Sequence, residues 1–149
     1  MAKREVDTVV IGGGPGGYVC AIRLGQLKQK VVCVEKEEVG GVCLNWGCVP
    51  SKALISASHN FEKAKDGGHM GLIIDNVRVD VAKMQAWKSG IVKKLTGGIR
   101  GLFRGNGVEL VMGTARVTGP NTVEVTAKDG TVETLEAKAR GYAPARFPV

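Results

Sequence analysis

Residues 7–35 leave few folds open to this chain. Asp7-Thr8-Val9-Val10-Ile11 reads as a buried parallel strand. Gly12-Gly13-Gly14-Pro15-Gly16-Gly17 follows at once and contains G-x-G-x-x-G at Gly12, Gly14 and Gly17. From Tyr18 the residues are small and apolar, with Cys20, Ala21, Ile22 and Leu24 beginning a helix. Lys30-Val31-Val32-Cys33-Val34 is a second strand, and it ends in Glu35. Together these make a complete βαβ unit. In such a unit Gly12 allows a tight turn, Gly14 lets backbone approach a pyrophosphate, and Gly17 lets the helix pack on the strand. The helix N-terminus faces the phosphate charge. Glu35 stands at about the distance where an acidic side chain binds a ribose hydroxyl. The glycines alone would be a weak signal; with both strands, the helix and the acid they point to dinucleotide binding. A P-loop is excluded, because Tyr18 and Val19 stand where Lys and Ser or Thr are required.

A second constraint comes from Cys43 and Cys48, in Gly40-Gly41-Val42-Cys43-Leu44-Asn45-Trp46-Gly47-Cys48-Val49-Pro50-Ser51-Lys52. In a regular helix, residues five apart rise about 7.5 Å, which puts their Cα atoms roughly 8–9 Å apart. A disulfide needs about 4.4–6.8 Å. The pair can therefore bridge only if the backbone between them bends, and Gly47 permits unusual dihedrals there. Pro50 suits the first turn of a helix running on through Ser51, Lys52, Ala53 and Leu54. Cys48 would then lie near a helix N-terminus with Lys52 one turn on, and both favour a thiolate. The spacing alone equally admits two buried, inert cysteines. Cys20 and Cys33 fall in apolar helix and strand patterns without a second close pair, which argues against a zinc site.

The redox stretch from Gly40 to Ile55, taken with the glycine turn, resembles the flavin-dependent pyridine nucleotide–disulfide oxidoreductases, and among them the lipoamide dehydrogenase branch. Leu44-Asn45, Pro50-Ser51-Lys52-Ala53-Leu54, Leu95–Phe103 and Gly113-Thr114-Ala115-Arg116-Val117 resemble that branch more than the glutathione or mercuric reductases. A glutathione- or mercuric-type disulfide reductase is the alternative within the family. The resemblance covers roughly residues 5–138. It implies an α/β fold: a Rossmann-like, three-layer FAD-binding core with a small antiparallel β-meander. It places Gly12, Gly14, Pro15 and Gly17 against the pyrophosphate of FAD and Glu35 on the adenosine ribose. It makes Cys48 the thiol nearest the flavin and Cys43 the interchange thiol that attacks a substrate disulfide. Lys52 would sit by the reactive flavin nitrogen, and the backbone of Gly113 and Ala115 near the adenine. The implied activity is oxidation of protein-bound dihydrolipoamide with NAD. The implied partners are a lipoyl-bearing protein of the 2-oxoacid dehydrogenase complexes and a second copy in a homodimer.

At 149 residues the chain has room for one domain, and 44% hydrophobic residues suffice for a core. Its longest apolar run is far below a membrane span, and Met1–Arg4 leads into the first strand without a signal peptide. Four cysteines fit one catalytic pair and two packing thiols in a reducing, cytoplasmic setting. The net charge of +7 includes basic residues at helical spacing between Lys83 and Arg104, with few aromatics. This reads as a solvated face, with no nucleic-acid partner expected.

Asp66–Gly71 reads as a loop, and Asp80 as the start of a helix running to about Arg104, with Gly97-Gly98 as an interruption. Residues 107–112 read as a strand parallel to the first two. Ala115–Thr118, Thr122–Thr126 and Val132–Glu136 form a meander expected as a separate layer. His59 and His69 read as surface and loop residues, since the family's His–Glu acid–base pair belongs to a later domain. Residues 1–138 are expected to be the N-terminal part of an FAD-binding domain, incomplete at the C-terminus. Residues 139–149, with two prolines, are expected to be an atypical tail without strand pattern. On that reading the chain is a truncated or frame-shifted product, inactive alone or a non-catalytic flavin-binding remnant. The NAD site and the dimerisation domain of the family would then be absent here.

Overall fold

Val9, Val10, Val32, Cys33 and Val34 are shielded from solvent because their strands lie in the middle of a sheet. The computed structural model describes residues 3–143. Strand β1 (Lys3–Ile11) pairs in parallel with β2 (Val31–Glu35), Thr8 opposite Val31 and Ile11 opposite Val34. Strand β3 (Val108–Met112) extends the parallel set on the far side of β2. The βαβ unit and the third parallel strand are thus as the sequence reads.

The antiparallel strands β4 (Thr114–Gly119), β5 (Thr122–Thr126) and β6 (Val132–Tyr142) form the meander. It is not hydrogen-bonded as a separate unit. Strand β6 pairs antiparallel with β5 and parallel with β1, giving one six-stranded sheet ordered β3-β2-β1-β6-β5-β4. It still packs as a layer, since Val123 and Val125 of β5 join Val9, Val32 and Val34 in one buried cluster. The opposite face carries Val10, Val31 and Cys33 against helix α1 (Pro15–Gln26) and helix α4 (Val81–Gly105). The period-2 pleat sends alternate residues of β1 and β2 to the two cores. The result is three layers: helices, central strands, hairpin.

Two sequence expectations change. Residues 139–142, read as patternless, continue β6, with Ala139, Arg140, Gly141 and Tyr142 in register with Thr8, Val9, Val10 and Ile11. Backbone pairing with β1 holds this stretch without an apolar stripe; residues 144–149 lie outside the described part. Helix α4 also runs through Gly97-Gly98 unbroken. Both glycines are exposed, while Ile99 and Phe103 on the other side are buried. Each glycine costs about 1 kcal/mol against alanine, which packing of those two side chains outweighs. Asp80 caps α4 as expected, its carboxylate accepting from Lys83 N at 3.0 Å. The loop after Lys65 contains a 3-10 turn at Gly67–Met70.

The N-terminal ends of the central strands are tied by charge. Arg4 of β1 reaches Glu109 of β3 and Glu133 of β6, both at 2.7 Å. Asp7 accepts from Lys30 N at 2.9 Å and from the Lys138 ammonium at 2.8 Å, linking β1 to the start of β2 and to the middle of β6. Lys138 and the Lys30 N–H hold the Asp7 carboxyl below its ordinary value of 3.8. A carboxyl with a depressed folded pKa adds stability above its unfolded pKa and loses it as pH falls through the folded value. Asp7→Asn should therefore lower the thermal midpoint at pH 7, and the gap to wild type should close as pH falls below 3.8. In the helix-side core, Phe103→Ala should cost about 3–5 kcal/mol in urea unfolding.

Candidate functional site

The glycine turn is held at its two ends. Gly12 closes β1 with φ +102°, a left-handed conformation that favours glycine, and its N–H donates to Val34 O at 2.8 Å. Helix α1 begins at Pro15 rather than Tyr18, so the turn is shorter than the sequence suggests. Proline is pre-set for the first helical position and lacks the N–H that would otherwise be unpaired there. Gly14 is the N-cap; no side chain caps α1, and no acidic residue occupies its first turn. The first N–H groups of α1 are therefore free of side-chain partners, as an anion site requires. A Cβ on Gly17 would lie 1.7 Å from Gly12 O, so the helix packs on the turn only with glycine there.

Glu35, at the end of β2, is buried, and both its carboxylate oxygens accept backbone N–H groups. Oε2 takes Gly13 N at 2.7 Å and Oε1 takes Glu37 N at 2.8 Å. Gly13 O in turn accepts from Gly40 N at 2.8 Å, which joins the phosphate turn to the cysteine segment. On the other side, Gly113 N donates to Glu35 O at 2.8 Å. Next to it opens a cleft of about 470 Å³ lined by Lys36, Glu37, Gly113, Thr114, Thr126, Ala127 and Lys128. Ala115 does not line this cleft; it packs against the hairpin-side core. The free helix N-terminus, the acid at the end of β2 and the cleft beyond it fit an adenine dinucleotide in chemistry and order.

The cysteine segment is two helices, not one. Helix α2 (Gly41–Asn45) carries Cys43 and helix α3 (Cys48–Lys65) begins at Cys48, with Trp46 and Gly47 between them. This is the backbone break that a C-x4-C bridge needs. Gly40 caps α2 with φ +99°, and Asn45 Nδ2 donates to Val39 O at 3.1 Å and Gly41 O at 2.9 Å. Cys43 and Cys48 are close enough that a hydrogen bond with Cys48 raises the Cys43 pKa above its ordinary 9.0, with burial and the Cys48 charge adding to it. The Lys52 charge pulls the other way.

Cys33 is buried as expected, and burial first, then the charges of Glu35 and Cys20, pushes its thiol up to about 12. Cys20 corrects its expectation: it is exposed rather than packed. Along α1 the buried positions are Gly17, Ala21 and Gly25, and Cys20 lies one residue off that stripe. His59 is exposed on α3, and the exposed His69 ring nitrogen lies 2.8 Å from Asp66 O. Among the described residues no group of three or more His, Cys, Asp or Glu could hold a metal ion, and no helix is long and apolar enough to cross a membrane.

Sequence reasoning did not single out Lys36 or Lys128, and it met Asn45 only as part of a resemblance. Gly40 had a visible signal, a glycine pair ahead of a short apolar helix. The structural role of Asn45 had none, because it depends on the folded carbonyls around it.

The family model described as pyridine nucleotide-disulphide oxidoreductase matches residues 6–140. A dihydrolipoyl dehydrogenase of Geobacillus stearothermophilus is 58% identical over 125 residues, which is 84% of this chain and 27% of that protein. One from Bacillus subtilis is 57% identical over 121 residues, 81% of this chain and 26% of the relative. A mitochondrial dihydrolipoyl dehydrogenase of Dictyostelium discoideum is 52% identical over 140 residues, 93% of this chain and 29% of the relative. The chain thus spans about a quarter of the length of the curated relatives it matches.

Gly17→Ala should destabilise the protein by about 3 kcal/mol or more, since backbone rather than a flexible side chain blocks the new methyl. Alkylation at neutral pH followed by mass mapping should mark the exposed Cys20 and Cys48 first, with Cys33 unlabelled until the protein unfolds. Rapid labelling of Cys33 in the folded protein would contradict its placement.

Proposed function

Because the chain belongs to the pyridine nucleotide-disulphide oxidoreductase family, we propose that it holds FAD along the glycine turn and uses Cys43 and Cys48 as a reversible dithiol–disulfide couple. The observation that carries this reading is the Gly40–Gly13 hydrogen bond at 2.8 Å. It ties the N-cap of the helix bearing Cys43 to the turn on which a dinucleotide pyrophosphate would rest. In this proposal Gly12, Gly14, Pro15 and Gly17 form the pyrophosphate cradle. The carboxylate oxygens of Glu35 keep acceptor capacity for the ribose hydroxyls, each having accepted one backbone N–H. Lys52 lies on the exposed side of α3, one turn beyond Cys48, where its charge favours an adjacent anion. Gly113 belongs to the adenine end, and Ala115 supports it from the core side.

The proposed chemistry balances as follows. One thiolate of a dihydrolipoamide attacks the Cys43 sulfur of the Cys43–Cys48 disulfide, and Cys48 leaves as a thiolate. The second substrate thiol attacks the mixed disulfide, releasing Cys43 and oxidised lipoamide. Two electrons and two protons thereby pass from substrate to the cysteine pair. Bound FAD supplies the two-electron carrier between that pair and NAD. The relatives named dihydrolipoyl dehydrogenase support lipoamide as the substrate class. A lipoyl-bearing protein of a 2-oxoacid dehydrogenase complex as partner and a cytoplasmic setting are parts of the same proposal, with the homodimer assigned to the full-length family.

Two measurements test it. FAD should bind the purified protein, and Gly14→Val should abolish binding, because a β-branched side chain would occupy the phosphate's approach. Equal binding by both would sink the assignment of this turn. Mild oxidation followed by mass mapping should give a Cys43–Cys48 linkage, and a dominant linkage through Cys20 or Cys33 would remove the proposed couple.

A further inference from the structure

The cleft beside Glu35 has an outer wall that the dinucleotide motif does not explain. Thr126 ends β5 and Ala127 and Lys128 open the turn to β6, distant in sequence from the glycine turn. The turn is tightly set. Ala127 N donates to Thr131 O at 2.9 Å, and Gly130 N donates to Ala127 O at 3.0 Å. Gly130 sits at φ +84°, where glycine is favoured. The Asp129 carboxylate accepts from Thr131 N at 2.9 Å, so it serves the turn itself. The backbone beneath Lys128 is therefore fixed rather than loose.

The wall is also pressed against the inner side of the cleft. A Cβ on Gly113 would lie 2.7 Å from Thr126 O and 2.9 Å from Val125 Cγ1. Any side chain at position 113 would push the β5–β6 turn outward. The glycine thus serves the placement of the turn as well as access to the cleft. Lys36, one residue after Glu35, lines the same cleft. A cleft lined by bare backbone at Gly113, a small side chain at Ala127 and two lysines suits a flat heteroaromatic ring. Lysine stems lie along apolar surface while the ammonium stays in water, and an ammonium over a ring face is attracted to it. A simple anion site fits less well, because Glu37 lines the same cleft and Glu35 adjoins it.

We propose that Lys128 is a binding residue for the adenine base of the dinucleotide, covering the ring from the hairpin side while Glu35 takes the ribose. This rests on the dinucleotide reading above and adds to it a residue of the meander. It gives the β5–β6 turn a part in cofactor selection.

Calorimetric titration of the 149-residue protein with ADP tests this, alongside Lys128→Ala and Lys128→Arg, with inorganic pyrophosphate as a parallel probe. Thermal melts confirm that both variants fold, as expected for an exposed side chain. Lys128→Ala should weaken ADP binding about threefold to tenfold. Lys128→Arg should restore it, and pyrophosphate binding should not change in either variant. Equal ADP affinity in wild type and Lys128→Ala overturns the role of Lys128 while leaving the dinucleotide site standing. An equal loss for ADP and pyrophosphate overturns the base contact in favour of an anion contact. A wild type that binds neither ADP nor FAD overturns this proposal together with the reading on which it rests.

Discussion

The approach of Gly17 to Gly12 O is the tightest glycine contact among the described residues. With 1.7 Å between that oxygen and the place of a Cβ, no side chain fits without moving either α1 or the end of β1. Everything at the site is then referred to that junction by backbone hydrogen bonds. Gly13 reaches Glu35 through its N–H and Gly40 through its carbonyl. Glu35 reaches Glu37 through its side chain and Gly113 through its own carbonyl. A shift of α1 would travel along this chain to both the cysteine segment and the cleft. Backbone groups carry most of these links, so the arrangement survives many surface substitutions but few changes at its glycines.

Strand β1 is the second element on which the rest depends. It is the junction between the parallel half of the sheet and the meander, pairing with β2 on one side and β6 on the other. Its pleat feeds Val10 to the helix-side core and Val9 to the hairpin-side core, and Val6 near its start joins the hairpin-side cluster as well. The wall of the cleft formed by the β5–β6 turn is therefore positioned through β6 and β1 by the same strand that carries the glycine turn. The Asp7 and Arg4 contacts fix the other end of β1, and being partly exposed they are modest contributors beside the two cores.

Most of the sheet and the order of the site were legible in the sequence, because strand periodicity, turn glycines and a terminal acid each have a local physical cause. What escaped was decided by neighbours. Cys20 looked like packing because cysteine is apolar, yet its place is one residue off the Gly17–Ala21–Gly25 stripe. Residues 139–142 looked patternless because Lys138, Ala139 and Arg140 are exposed, yet β1 offers them a ladder. The start of α1 at Pro15 was hidden by the glycines around it, which read as turn on composition alone. Lys36 and Lys128 carry no motif, since only the fold brings them to one cleft. The placement of Cys43 beside Cys48 was legible in part: spacing demanded a bend, and the bend is at Trp46-Gly47, but spacing alone could not distinguish a working pair from a packed one.

The break at Trp46-Gly47, between the five residues of α2 and the eighteen of α3, brings Cys43 close enough to Cys48 for the second thiol to raise the pKa of the first. In the proposed couple, a backbone already bent at that point would have little to rearrange as a disulfide forms. A structural disulfide differs in this respect, since it stabilises chiefly by constraining the unfolded chain. Asn45 contributes directly. By donating to Val39 O and Gly41 O it anchors the start of α2 through the backbone rather than through sulfur. In the proposed couple that anchoring would keep Cys43 in place as the bond forms and breaks.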